Sequence, residues 1–145
     1  MARDSKTLRT VLTTTLILLI GLLVLQALAY GVGFALDPES GVQEFGYEKP
    51  TAVGDLTVAL VGLIGVGMLG TAALLSLAAV LVWRANPVGG SIAMVIGGVY
   101  VLAGLCALRA EWWWDAYFYS IAGTALIVLA ASVRWARSEQ REGSD

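Results

Sequence analysis

Four apolar runs, at 10–36, 56–83, 88–108 and 116–133, take up most of this 145-residue chain, with short charged loops between them. A helix rises 1.5 Å per residue and a bilayer's hydrocarbon core is about 30 Å thick, so roughly 20 residues suffice to cross it. Every run reaches that length or comes close. The expected fold is all-α: an integral membrane bundle of four transmembrane helices, spanning about 10–36, 52–83, 88–108 and 116–135, with a tail at 136–145.

Composition supports a membrane role and narrows the chemistry. Hydrophobic residues make up 58% and charged residues 14%, against about 25% charge in soluble domains, so the excess apolar surface has to face lipid. The longest gap between runs is 37–55, which leaves room for a single membrane domain over 1–145 and no second one. Net charge is −2 without any block of like charge, which excludes nucleic acid as a partner. Histidine is absent, and the one cysteine, Cys106, sits inside the third run. Zinc, iron–sulfur and bis-histidine haem sites need more ligands than that, and no intrachain disulfide can form, so no cofactor is expected. Cys106 reads as a small packing residue, because burial in hydrocarbon disfavours the reactive thiolate.

Basic residues set the orientation. Arg3, Lys6, Arg9, Arg84, Arg134, Arg137 and Arg141 fall on one side of the four spans, and only Lys49 and Arg109 fall on the other. Seven against two places both termini in the cytoplasm. Asp37, Glu39, Glu44, Glu48, Asp55, Glu111 and Asp115 make the opposite face acidic. A competing reading takes residues 1–29 as a signal peptide, with Ala27-Leu28-Ala29 as the cleavage motif. The apolar run continues through Leu36, however, which is too long for a signal and long enough to span with tilt.

The loops carry helix punctuation. Asp37-Pro38-Glu39 ends one helix and starts another, with Asp37 as cap and Pro38 as first helical residue. The short helix that follows, ended by Gly46, places Val42 and Phe45 on one face and is expected on the outer membrane surface, with Tyr47-Glu48-Lys49-Pro50 leading to the second span. Arg84-Ala85-Asn86-Pro87 gives a very short second turn, with Asn86 capping the third helix. Spans two and three must then form an antiparallel hairpin. The third turn is expected at 105–116, with Asp115 capping the last span.

Small residues suggest how helices meet. Gly62, Gly65, Gly67 and Gly70 cluster in the second span, and Gly90, Ala93, Gly97 and Gly104 recur in the third. Helices in lipid associate by close van der Waals approach, which stripes of small residues allow. The two stripes are expected to face each other across the hairpin; the alternative is a hinge or a ligand space lined by glycine. Trp112, Trp113, Trp114, Tyr117, Phe118 and Tyr119 gather at the outer end of the fourth span, and Trp83 and Trp135 mark inner ends. Such rings settle at headgroup depth, which makes an interfacial belt the simpler reading and a lipid or quinone contact the other.

Polar residues at membrane depth are the usual carriers of function, and here they are few: Thr13, Thr14, Thr15 and Gln26, then Thr71 and Ser76, Tyr100, and Ser120 and Thr124. Serine and threonine can bond back to their own helix, so Gln26 is the one residue that needs a partner elsewhere. Small four-helix multidrug transporters work through a glutamate in the first span, and no glutamate precedes Glu39 here. The remaining polar candidate is an outer cluster of Asp55, Arg109, Glu111 and Asp115. Arg109 could reach Asp55 or Asp115, either as an orienting ion pair or as part of a site for a polar headgroup.

The stretch Gly31-Val32-Gly33-Phe34-Ala35-Leu36-Asp37-Pro38-Glu39, with Phe45-Gly46 and then Gly54-Asp55-Leu56, resembles the DoxX-like assemblage of small four-helix membrane proteins. That resemblance implies a four-helix bundle, in a group where some members are linked to quinone-dependent oxidation. Gly54 stands where a basic residue is expected, so the architecture carries over and the activity does not. The sequence thus leads to a noncatalytic structural or accessory membrane component in the bilayer, as a homo-oligomer or beside a larger partner. Its rivals are a carrier for a small lipophilic molecule and a partner-dependent oxidoreductase subunit. Arginine outnumbering lysine points to a prokaryotic source.

Overall fold

The computed structural model describes residues 2–44, 54–109 and 113–142. Among the described residues there are five helices: α1 (Ala2–Leu36), α2 (Pro38–Glu44), α3 (Gly54–Trp83), α4 (Pro87–Arg109) and α5 (Trp113–Glu142). Four of them hold segments long and apolar enough to cross a membrane: Thr7–Leu36, Val58–Trp83, Pro87–Arg109 and Trp113–Ser138, of 30, 26, 23 and 26 residues. At 1.5 Å per residue these run for about 34 to 45 Å, beyond the roughly 30 Å of hydrocarbon. The all-α architecture and the four apolar helices thus stand as expected from the sequence.

Helix boundaries differ from expectation where the sequence lacks a breaker. The expected third turn at 105–116 is much shorter, because α4 continues to Arg109 and α5 already starts at Trp113. No glycine or proline lies between Leu105 and Arg109 to stop the helix. Asp115 is consequently not the residue before α5 but part of its first turn, where a carboxylate complements the helix dipole instead of capping. Residues 136–142 of the expected tail are helical as well. Gly46 and Tyr47-Glu48-Lys49-Pro50 lie outside the described residues, as do Phe45, Glu111 and Trp112.

The chain forms two compact units. One gathers Met1–Gly21 and Leu75–Asp145, the other Leu22–Leu74.

In the first unit the α3–α4 turn is built from local bonds. Asn86 N–H donates to the Leu81 carbonyl at 2.8 Å and Ala85 N–H to the Val82 carbonyl at 3.0 Å. Ala85 between them has φ 57°. This pair of bonds closes a helix end through a left-handed residue. The next helix starts at once: the Asn86 side-chain oxygen accepts from Val88 N–H at 2.9 Å, and Pro87 occupies the first helical position. The hairpin is sealed beside the turn at Gly89, where a Cβ would sit 2.7 Å from the Val82 nitrogen and 2.8 Å from the Ala78 oxygen.

The α4–α5 contact dominates the rest of this unit. Gly104 lies against Ala116 and Ser120, Gly97 against Gly123 and Ile127, and Gly90 against Ala130 and the Arg134 stem. Numbers rise along α4 as they fall along α5, so the pair is antiparallel. Tyr100 crosses to Tyr119 edge-on, with ring centroids 5.5 Å apart.

In the second unit α1 and α3 are antiparallel too. A Cβ on Gly31 would meet the Gly65 oxygen at 3.1 Å, and one on Gly65 would meet the Ala35 nitrogen at 2.5 Å. At the end of α1 the Asp37 carboxylate accepts from Ser40 N–H at 3.2 Å, the capping bond expected for α2. Val42 of α2 is buried with Phe34 and Val61.

Each glycine stripe finds close neighbours within its own unit. Those of α4 pack on α5, and Gly62 and Gly65 of α3 pack on the end of α1 and on Pro38; a Cβ on Gly67 or Gly70 would meet nothing within 4 Å. A stripe of small residues marks a face that tolerates close approach and carries no information on which helix fills it.

Candidate functional site

Of the expected outer cluster, Arg109 closes α4 and Asp115 lies in the first turn of α5. Both are exposed at the same end of that helix pair. Each charge suits its own helix terminus, a cation at the carbonyl end and an anion at the N–H end. Asp55 is in the first turn of α3; Glu111 and any pairing of Arg109 with Asp55 lie outside the described residues. Beside this cluster the aromatic group divides. Trp113, Trp114, Tyr117 and Phe118 point outwards, Trp114 with 90% of its surface exposed, as a headgroup belt requires. Tyr119 turns inwards onto Tyr100.

The other end of the first unit holds a constellation the sequence did not single out. A cavity of about 450 Å³ is lined by Arg9, Thr10, Thr13, Thr14, Trp83 and Arg137, with a few apolar neighbours. The threonines reach it together because positions 10, 13 and 14 share one face of α1 at helical spacing. Arg137 comes from α5 and crosses to α3, where its Nη2 donates to the Val82 carbonyl at 3.0 Å. Its Nε is buried without a hydrogen-bond partner, and so is Oγ1 of Thr13. The Arg9 and Arg137 charges repel each other. A second cavity, of about 290 Å³, shares Arg137 and adds Arg134, Trp135 and Ser138. There Arg134 Nη1 donates to Ser91 Oγ at 3.3 Å.

In the sequence these arginines stand out only as indicators of topology. The available signal was the helical spacing of the threonines just after Arg9, which places hydroxyls and a guanidinium on neighbouring turns. Among the described residues, no three histidine, cysteine or carboxylate side chains gather as a metal would need. Two other polar side chains bond to their own helix: Thr71 Oγ1 to the Gly67 carbonyl at 3.0 Å and Ser132 Oγ to the Val128 carbonyl at 2.8 Å.

Compared with models of protein families, with curated proteins and with solved structures, the chain matches none.

Proposed function

We propose that the protein is a multi-pass component of a cell membrane with a noncatalytic, structural or accessory role, its termini in the cytoplasm and its 37–55 loop outside. The observation that carries this reading is the α4–α5 pair. It is closed by backbone contact at Gly97 and Gly123, while large apolar side chains such as Val95, Leu102 and Ile121 on the same two helices stay exposed. Such a pair is sealed inside and apolar outside, which suits lipid, a second copy or a larger membrane partner. The DoxX-like resemblance enters here as architecture alone. A lipophilic carrier draws less support, because Gly65, Gly97 and Gly104, which were to line its space, are filled by neighbouring chain.

Native mass spectrometry of the gently solubilised protein tests the role. A retained protein partner or second copy supports it, whereas a retained quinone in a solitary chain overturns it in favour of the carrier. Topology is tested separately: cysteine at Ser40 should react with an impermeant thiol reagent on intact cells, and cysteine at Ser144 should not. Labelling at Ser144 would refute cytoplasmic termini.

A further inference from the structure

Arg137 presents more donors than its surroundings accept. One guanidinium nitrogen bonds the Val82 carbonyl, while Nε stays buried with no acceptor. Thr13 repeats the pattern in the wall of the same cavity. A helical threonine ordinarily bonds back to a carbonyl of the preceding turn, yet this hydroxyl does not. Leaving a buried donor unmade is costly, more so when the group is charged. Around the space stand two guanidiniums that repel each other, and among the described residues its lining includes no carboxylate. The orphan donors of Arg137 and Thr13, with a second guanidinium beside them, call for a compact anion with several acceptor oxygens.

The position along the spans narrows the anion further. Thr7, Trp83 and Ser138 are the ends of three candidate spans, and the cavity is built at that level. Thr13 lies about 9 Å inside Thr7 along the helix axis. Trp83 and Trp135, both largely exposed, mark the same level as aromatic anchors do at headgroup depth. Phosphate groups of lipids occupy this zone, and basic pockets between spanning helices suit them.

We propose that the cavity lined by Arg9, Thr13 and Arg137 binds a phosphate group, that of an anionic phospholipid headgroup, with Arg137 Nε and Thr13 Oγ1 as donors to its oxygens. Free inorganic phosphate offers the same oxygens, so the source is settled by experiment. The site does not depend on the accessory role; only its assignment to the cytoplasmic leaflet rests on the proposed topology.

The test uses the full-length protein, freed of host lipid by prolonged washing in dodecyl maltoside, and follows thermal unfolding during titration. Dioleoylphosphatidylglycerol should raise the melting temperature saturably, and zwitterionic dioleoylphosphatidylcholine should do so at much higher concentration. Arg137→Gln also removes the bond to Val82, so Thr13→Val and Arg9→Gln carry the argument. Each should weaken the apparent affinity about tenfold or more, Thr13→Val by the loss of one hydrogen bond to a charged group and Arg9→Gln by the loss of a neighbouring cation. Thr13→Val keeps the side-chain volume and, by removing an unmade hydroxyl, should leave the lipid-free protein at least as stable. A saturable shift with inorganic phosphate and none with phosphatidylglycerol would support the anion site and assign it to a soluble anion. No saturable shift with either probe, or a shift unchanged in both variants, overturns the proposal.

Discussion

Replacing Gly123 with alanine adds one methyl group at the closest approach to backbone atoms in the α4–α5 contact. The new Cβ would stand 2.5 Å from the Gly97 carbonyl oxygen and 2.8 Å from the Val101 nitrogen. Both are backbone atoms held in α4, so neither can swing away as a side chain could. Restoring ordinary contact distances requires the helices to part by roughly 1 Å, a gap that forfeits a quarter to a half of the dispersion well for atoms along the seam. Overpacking of this kind costs about 1–3 kcal/mol. Alanine also exceeds glycine in helix propensity by about 1 kcal/mol, so the net destabilisation should be about 0–2 kcal/mol. Gly98→Ala is the matched control, because a Cβ there meets nothing within 4 Å; it should leave stability unchanged or raise it by up to about 1 kcal/mol. Thermal unfolding of both variants in detergent, followed by circular dichroism, compares them directly. Equal behaviour of Gly123→Ala and Gly98→Ala would refute the backbone-contact seam.

Ala85→Gly should stabilise the protein by about 1 kcal/mol, since φ 57° is free for glycine and unfavourable for alanine; a lowered melting temperature would contradict the turn. Asn86→Ala removes the oxygen that accepts from Val88 N–H and should cost about 1 kcal/mol, read in the same unfolding assay. Arg109→Ala and Asp115→Ala should each cost about 0.3–1 kcal/mol through the helix dipoles, and the double variant should show their sum. A clearly smaller total would mean that the two groups act as one unit.

What the sequence made legible was local. The apolar runs show where helices can cross, and Asp37-Pro38 and Asn86-Pro87 show where helices begin, because cap and first-turn residues act within three positions of one another. Partner choice was not legible. In water a hydrophobic face must find another such face, but lipid covers leucine as well as a helix does, so only shape selects. Gly97 required a close neighbour, and Gly123 and Ile127 on α5 supply it, as Ala116 does for Gly104 and Ala130 for Gly90. The glycines nearest along the chain suggested α3, and nothing local in the sequence points to α5. The aromatic group divided for the same reason. Tyr119 could be separated from Tyr117 and Phe118 only once Tyr100 was known to stand opposite.

Arg137 separates an address from a structural part. Any cation at this position satisfies the positive-inside rule, so Arg137→Lys should leave the labelling pattern at Ser40 and Ser144 unchanged. Stability should respond differently. The guanidinium bonds the Val82 carbonyl through Nη2 at 3.0 Å and offers further donors in a planar fork, a geometry an ammonium on a flexible stem does not reproduce. Hydrogen bonds involving a charged group contribute about 1.5–3 kcal/mol. The Val82 carbonyl also accepts from Ala85 N–H, so it is not orphaned by the change, and the cost should fall at or below the lower end, about 1 kcal/mol. The same reasoning gives Arg134, which bonds Ser91 and lies along Gly90, a reason to be arginine beyond any codon preference. A melting temperature for Arg137→Lys equal to that of the parent would mean that the bond across to α3 contributes nothing and that Arg137 serves as charge alone.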